Sequence, residues 1–244
     1  AEHPDEAALR WRVSDDNWPS YTWAEYCDMA CRLATALIER GIKKGDRVVL
    51  MLRNRPEFHI ADVAVMLCGA TPVSIYNSCS PEQIQYIAHH AEAKAAVIED
   101  GSFLERFLAV RDQLPNLSTL IVVDGDAPAA DALKFESLLG VPPADLSELV
   151  KNGDPTDLAT VIYTSGTTGP PKGVKLTHTN LLWTVESLRE TLGLVPNGFR
   201  LISYLPMAHV AERMVTHYLG MACHFQVTTC PDPGRLQAYL APVR

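Results

Sequence analysis

The chain has 244 residues, with 21 Lys or Arg against 29 Asp or Glu, a formal charge of −8. That acidic balance argues against non-specific nucleic-acid binding, and 47% apolar with 20% charged residues excludes a disordered chain. The longest uncharged stretch, 63–81, contains Gly69, Pro72 and Asn77, so it is a poor bilayer span.

No apolar signal segment is visible at the amino terminus, and a cytoplasmic protein with reduced thiols is expected. None of the six cysteines forms a CxxC pair. Cys27 and Cys31 are four apart and read as small hydrophobes on a buried helix face.

In chain order, residues 24–40 show helical spacing, with Gly41 as a stop. Residues 47–52 read as a buried strand, and 56–67 as a helix with Pro56 in its first turn. A short strand over 71–75 follows. Ser80 caps a helix starting at Pro81, with Gln83 three residues on. Residues 94–98 and 120–123 are continuous apolar strands around a helix over 103–114. Strands lacking polar alternation are covered on both faces, so the expected fold class is α/β with layered parallel sheets and flanking helices.

The Pro-, Ala- and Asp-rich stretch 125–153 reads as a surface excursion with short helices. A strand resumes over 158–163, a helix capped around 177–180 reaches 192, and strands over 201–205 and 224–228 flank a helix over 208–219.

The most informative segment is Tyr163-Thr164-Ser165-Gly166-Thr167-Thr168-Gly169-Pro170-Pro171-Lys172-Gly173-Val174. Its glycines let backbone N–H groups approach a ligand closely. Thr164, Ser165, Thr167 and Thr168 add hydroxyls, and Lys172 adds a cation. No Asp or Glu occurs over 158–185 in an otherwise acidic chain. Donors, glycines and local positive charge together describe a phosphate cradle. The spacing fits neither the G-x-x-x-x-G-K-[ST] loop nor a GxGxxG fingerprint.

This segment resembles the signature of the adenylate-forming (AMP-binding) enzymes. Arg53-Asn54-Arg55-Pro56-Glu57-Phe58, Ser80-Pro81-Glu82-Gln83 and Leu205-Pro206-Met207-Ala208-His209-Val210-Ala211-Glu212-Arg213 resemble the long-chain fatty acid CoA ligase branch. The resemblance implies residues 1–244 to be part of the large N-terminal adenylation domain of an acyl-CoA synthetase-like fold. It implies a carboxylate attacking the α-phosphate of ATP, pyrophosphate leaving, and coenzyme A then taking the acyl group. Fatty acid, ATP and CoA would be the partners of the full-length enzyme. Thr164, Ser165, Gly166, Thr167, Thr168, Gly169 and Lys172 would wrap the pyrophosphate, with Thr164 near Mg²⁺. His209 would lie beside the acyl carboxylate as the catalytic histidine.

Relatives also carry an adenine-binding turn, a Tyr-Gly-x-Thr-Glu segment, a ribose-binding Asp and a small C-terminal domain with a catalytic Lys. None appears in these 244 residues, so this polypeptide alone is expected to be inactive and to bind ATP weakly. An incomplete sheet exposes edges, so self-association is expected. Peripheral membrane contact stays open, with no basic amphipathic helix to support it. Two alternatives stand beside the fatty acid reading: a ligase of aryl or short-chain acids, and a non-catalytic nucleotide- or partner-binding module. Glu212 and Arg213 read as lining the nucleotide site or, in preference, as a structural ion pair, His89 and His90 as solvated or partly packed, and Trp183 and Tyr204 as core aromatics.

Overall fold

The computed structural model describes residues 3–125, 132–151, 153–164, 169–195 and 199–240. The strands are β1 (Ala7–Trp11), β2 (Ser20–Thr22), β3 (Arg47–Met51), β4 (Thr71–Ser74), β5 (Ala95–Ile98), β6 (Thr119–Val122), β7 (Ala132–Lys134), β8 (Leu158–Thr164), β9 (Lys172–Thr177), β10 (Arg200–Ser203) and β11 (Gln226–Thr229). The longer helices are α1 (Trp23–Glu39), α2 (Pro56–Leu67), α3 (Pro81–His90) and α4 (Gly101–Leu108). After them come α5 (Phe135–Leu138), α6 (Leu146–Val150) and α7 (His178–Leu192). A last composite helix runs through α8 (Val210–Glu212), a π-turn at Arg213–Tyr218 and α9 (Leu219–Ala222).

Seven strands form one sheet in the order β7-β6-β5-β3-β4-β8-β9, parallel except where β9 returns antiparallel to β8. Four form a second sheet, β10-β11-β1-β2, in which only β2 is antiparallel to its neighbour. The layered α/β expectation holds, but both sheets are mixed. The sequence reading passes over β1, β2, β7 and β9, which are short or edge strands without a continuous apolar run.

Strand β3 shows why the layers form. Val48 and Leu50 point into the cluster built by α1 and α2, while Val49 and Met51 point into the one built by α3 and α4. Burying Phe58 on one side and Phe107 on the other contributes about 2–3 kcal/mol each. Helix α2 is buried around most of its circumference, because its first face meets the large sheet and its second meets Leu9 and Val227 of the small one. The order is therefore α3/α4, large sheet, α1/α2, small sheet.

The helix read over 103–114 instead runs Gly101–Leu108, because the Asp100 carboxylate accepts from the Ser102 and Phe103 amides and starts it early. Capping boxes at Thr22/Glu25, Ser80/Gln83 and Thr177/Asn180 set the starts of α1, α3 and α7. All six cysteines are free, and burial pushes the Cys31 thiol up to about 12, as suits a small core hydrophobe.

Candidate active site

Parallel strands β4 and β8 lie side by side, so their carboxyl ends open on the same rim of the sheet. A cavity of about 390 Å³ lies there. Its walls come from Ser74 at the end of β4 and the turn after it (Ile75, Tyr76, Cys79), from Gln83 and Ile87 of α3, from Ile162, Tyr163 and Thr164 at the end of β8, from Pro171, and from Ala208, His209 and Val210.

Two separate sequence motifs thus meet at one cavity, with Thr164 and His209 both in its wall. Ser165, Gly166, Thr167 and Thr168 lie outside the described residues. Gly169 has φ +91°, a left-handed conformation that favours glycine. The loop leaves and returns through one antiparallel ladder, in which Thr164 faces Lys172 and Tyr163 faces Gly173. Gly173 is required by close approach: a Cβ there would lie 2.9 Å from Val161 Cγ1 and 3.2 Å from Tyr163 Cζ. Lys172 is exposed at the start of β9, and no carboxylate pairs with it among the described residues.

His209 caps the composite helix. Its Nδ1 accepts the Ala211 amide at 3.2 Å, which places the proton of a neutral imidazole on Nε2 and makes that nitrogen a donor. The turn carrying His209 is closed by Glu212, whose carboxylate accepts from the Leu205 amide at 3.2 Å and from the Thr216 hydroxyl at 2.7 Å. Burial raises the Glu212 carboxyl, an effect these donors oppose. Asn54, just past β3, donates to the Ser203 hydroxyl and the Leu205 carbonyl, each at 2.8 Å, and ties the turn to the large sheet.

Arg213 anchors the next turn. Its fully buried guanidinium pairs with Asp62 of α2 and donates to the Ser74 hydroxyl, itself in the cavity wall. His217 Nε2 lies 2.9 Å from the second Asp62 oxygen, and His217 Nδ1 lies 2.8 Å from His59 Nδ1. The π-turn supplies the wider helical spacing that brings Arg213, His217 and Tyr218 together around one carboxylate. The ion pair expected between Glu212 and Arg213 is not formed: Glu212 accepts from Leu205 and Thr216, and Arg213 pairs with Asp62.

Asp62 and Ser74 escape the sequence reading, and Asn54 enters it only as one residue of a motif, with no role given. The signal for Asp62 is a single carboxylate inside the otherwise apolar stretch 60–67. Trp183 is a correction, being 72% exposed on α7 rather than in the core.

The described residues do not by themselves make up a magnesium site. Thr164 offers a hydroxyl oxygen, but no Asp or Glu lines the cavity, and no group of three or more His, Cys, Asp or Glu among the described residues could hold a metal. A hard divalent cation takes carboxylate and phosphate oxygens. Among the described residues, no helix is long and apolar enough to cross a membrane.

Fold and cavity define an α/β protein with a cavity at the carboxyl ends of two neighbouring parallel strands. The chain belongs to the AMP-binding enzyme family, whose pattern matches residues 1–242. It is 33% identical over 236 residues to the long-chain-fatty-acid–CoA ligase ACSBG2 of Xenopus laevis, covering 93% of this chain and 32% of that one. It is 34% identical over 218 residues to the long-chain-fatty-acid–CoA ligase FadD15 of Mycobacterium tuberculosis (strain ATCC 25618 / H37Rv), covering 89% and 36%. The chain therefore spans about a third of the length of these curated relatives. The crystal structure of the anthranilate CoA ligase AuaEII in complex with anthranoyl-AMP matches with a TM-score of 0.82 and 19% identity, over 98% of this chain and 44% of that one, a likeness of fold.

Proposed function

We propose that this chain supplies the phosphate-gripping loop and one wall of the acyl site of an ATP-dependent acid–thiol ligase acting on long-chain fatty acids. The supporting observation is the convergence of Thr164 and His209 on one cavity, with Lys172, which no carboxylate among the described residues pairs with, facing Thr164 across the ladder. The names of the curated relatives support the fatty acid branch.

In the first step a fatty acid carboxylate oxygen bonds to the α-phosphorus of ATP, and the bond to the bridging oxygen breaks, releasing pyrophosphate. In the second, the coenzyme A thiol bonds to the acyl carbon and AMP leaves. Negative charge grows on the departing pyrophosphate, and fixed donors with a cation stabilise it where it develops. Thr164, Ser165, Gly166, Thr167, Thr168, Gly169 and Lys172 are that donor set. The Nε2–H of His209 orients the attacking carboxylate by a hydrogen bond. Thr164 would offer its hydroxyl oxygen to a magnesium ion, whose Lewis acidity would help neutralise the leaving pyrophosphate.

Contacts to adenine and ribose, and a catalytic lysine, are not assigned to any of these residues, so this chain alone is expected to bind without turning over. Titration calorimetry with pyrophosphate and with ATP tests the reading. Binding that falls about tenfold or more in Lys172→Ala supports it, and binding indifferent to that change overturns it. Acyl-CoA formation by this chain from ATP, a fatty acid and CoA would overturn the expected inactivity. Running the enzyme that contains the whole fold against aryl, short-chain and long-chain acids separates the acid classes.

A further inference from the structure

Helix α3, whose Gln83 and Ile87 line the cavity, also carries two aromatic side chains that the reaction above does not use. Tyr86 and His90 are one helical turn apart, and their rings stack with centroids 5.7 Å apart and planes at 14°. Each ring ends on a different arm of the phosphate loop. The Tyr86 hydroxyl donates to the Pro171 carbonyl at 3.1 Å, on the arm leading into Lys172. His90 Nδ1 lies 2.7 Å from the Tyr163 hydroxyl, on the arm leading into Thr164. The Tyr163 ring in turn lies against Gly173, across the ladder.

The geometry points to Tyr86 and His90 as positioning residues that brace both arms of the loop and set its affinity for pyrophosphate. This inference rests on the reading of that loop as the phosphate site. A peptide is planar, so holding the Pro171 carbonyl fixes the plane through which the chain enters Lys172. Holding the Tyr163 hydroxyl fixes the opposite arm one residue before Thr164. Packing of α3 does not need these polar tips, because Ile84, Ile87 and Ala88 already bury its inner face.

With its proton on Nε2, the His90 imidazole accepts at Nδ1 from the Tyr163 phenol. Burial pushes the Tyr163 phenol up to about 12, so it keeps its proton across the working range.

The test uses this chain with Tyr86→Phe, which keeps the stacked ring and removes only the hydroxyl, and with His90→Leu against His90→Asn, whose amide reaches towards the Nδ1 position. Amide hydrogen exchange is read at Gly169 and over 172–174, with pyrophosphate affinity by calorimetry and the thermal midpoint as control. Tyr86→Phe and His90→Leu are expected to speed exchange in the arms roughly tenfold, about the effect of one lost hydrogen bond. They are also expected to weaken pyrophosphate five- to tenfold with little change in midpoint, while His90→Asn stays near the parent. Unchanged exchange overturns the brace whatever the binding result. Faster exchange with parental affinity overturns its role in positioning. If the parent chain itself fails to bind pyrophosphate, the phosphate-loop reading has failed, and the positioning role falls with it.

Discussion

Arg213 and Asp62, 151 residues apart in sequence, form an ion pair in which both side chains are fully buried. The guanidinium also lies over the rings of Phe58 and Tyr218, 5.7 and 5.4 Å from their centroids. This pair joins the helix that carries His209 to α2, the helix between the two sheets. Removing one partner strands the other charge in the core. Asp62→Asn or Arg213→Met is expected to cost about 3–5 kcal/mol in urea unfolding. The double variant should cost clearly less than the sum of the two, since it strands no charge. Additive costs would show that the two side chains do not act as a pair.

Acid should destabilise the fold in two stages. Burial holds His59 neutral and its pKa well below the ordinary value, with the neighbouring His217 adding to the effect. The unfolded chain takes up that proton near pH 6.5 and the fold does not, so stability is full above that pH and declines below it. His178 acts in the same sense, chiefly through burial. Burial pushes the Asp62 carboxyl up, but Arg213, His217 and the hydrogen bonds outweigh it and leave the pKa low. Its contribution is present above the unfolded value near 3.9 and is lost as pH falls through the folded value. Glu212, raised by burial, works oppositely: its contribution is present in acid and declines as pH rises through its raised value. Urea midpoints from pH 7 to 3 should show a net decline, with a shallower slope below pH 6.5 in His59→Leu.

Gly173→Ala tests the close approach at the foot of the loop. The added methyl would meet Val161, a β-branched side chain with little freedom to move, and the Tyr163 ring. A loss of about 1–3 kcal/mol is expected from overpacking. Pyrophosphate binding should weaken along with it, because Tyr163 must shift. Parental stability and affinity would mean that the ladder tolerates a side chain there.

Leu182 and Trp183 stand 63% and 72% exposed next to each other on α7. Neighbouring exposed apolar side chains favour association. Light scattering of this chain is expected to show concentration-dependent self-association, reduced in Leu182→Ser/Trp183→Ser. A monomer at all concentrations would remove that expectation.

The sequence exposes the parts of this fold that rest on local chemistry. Caps at Ser80 and Thr177 are legible from residues three apart, whereas the one at Thr22 goes unread, and the runs that became β3, β5, β6 and β8 are legible because parallel strands are apolar on both faces. Strand β9 is not, since it lies at the sheet edge with Lys172, Val174 and Lys175 exposed. Of the site, the loop and His209 can be singled out from composition and motif, but their meeting at one cavity cannot. That juxtaposition depends on β4 and β8 being neighbours, which no local pattern encodes. Asp62 and Arg213 are likewise joined only by the tertiary fold, as are Tyr86 and Pro171.

The small sheet has a temporal consequence. Leu9 in β1 pairs with Val227 in β11, and β10 reaches the rest of that sheet only through β11. During synthesis β1 can find β2 early, but its other edge waits for residues some 218 positions later. At ribosomal speeds of roughly 5–20 residues per second that delay is on the order of ten to forty seconds. Throughout it, the nascent protein presents an unpaired strand next to an apolar helix layer, the window in which a chaperone or a neighbouring nascent chain would find it.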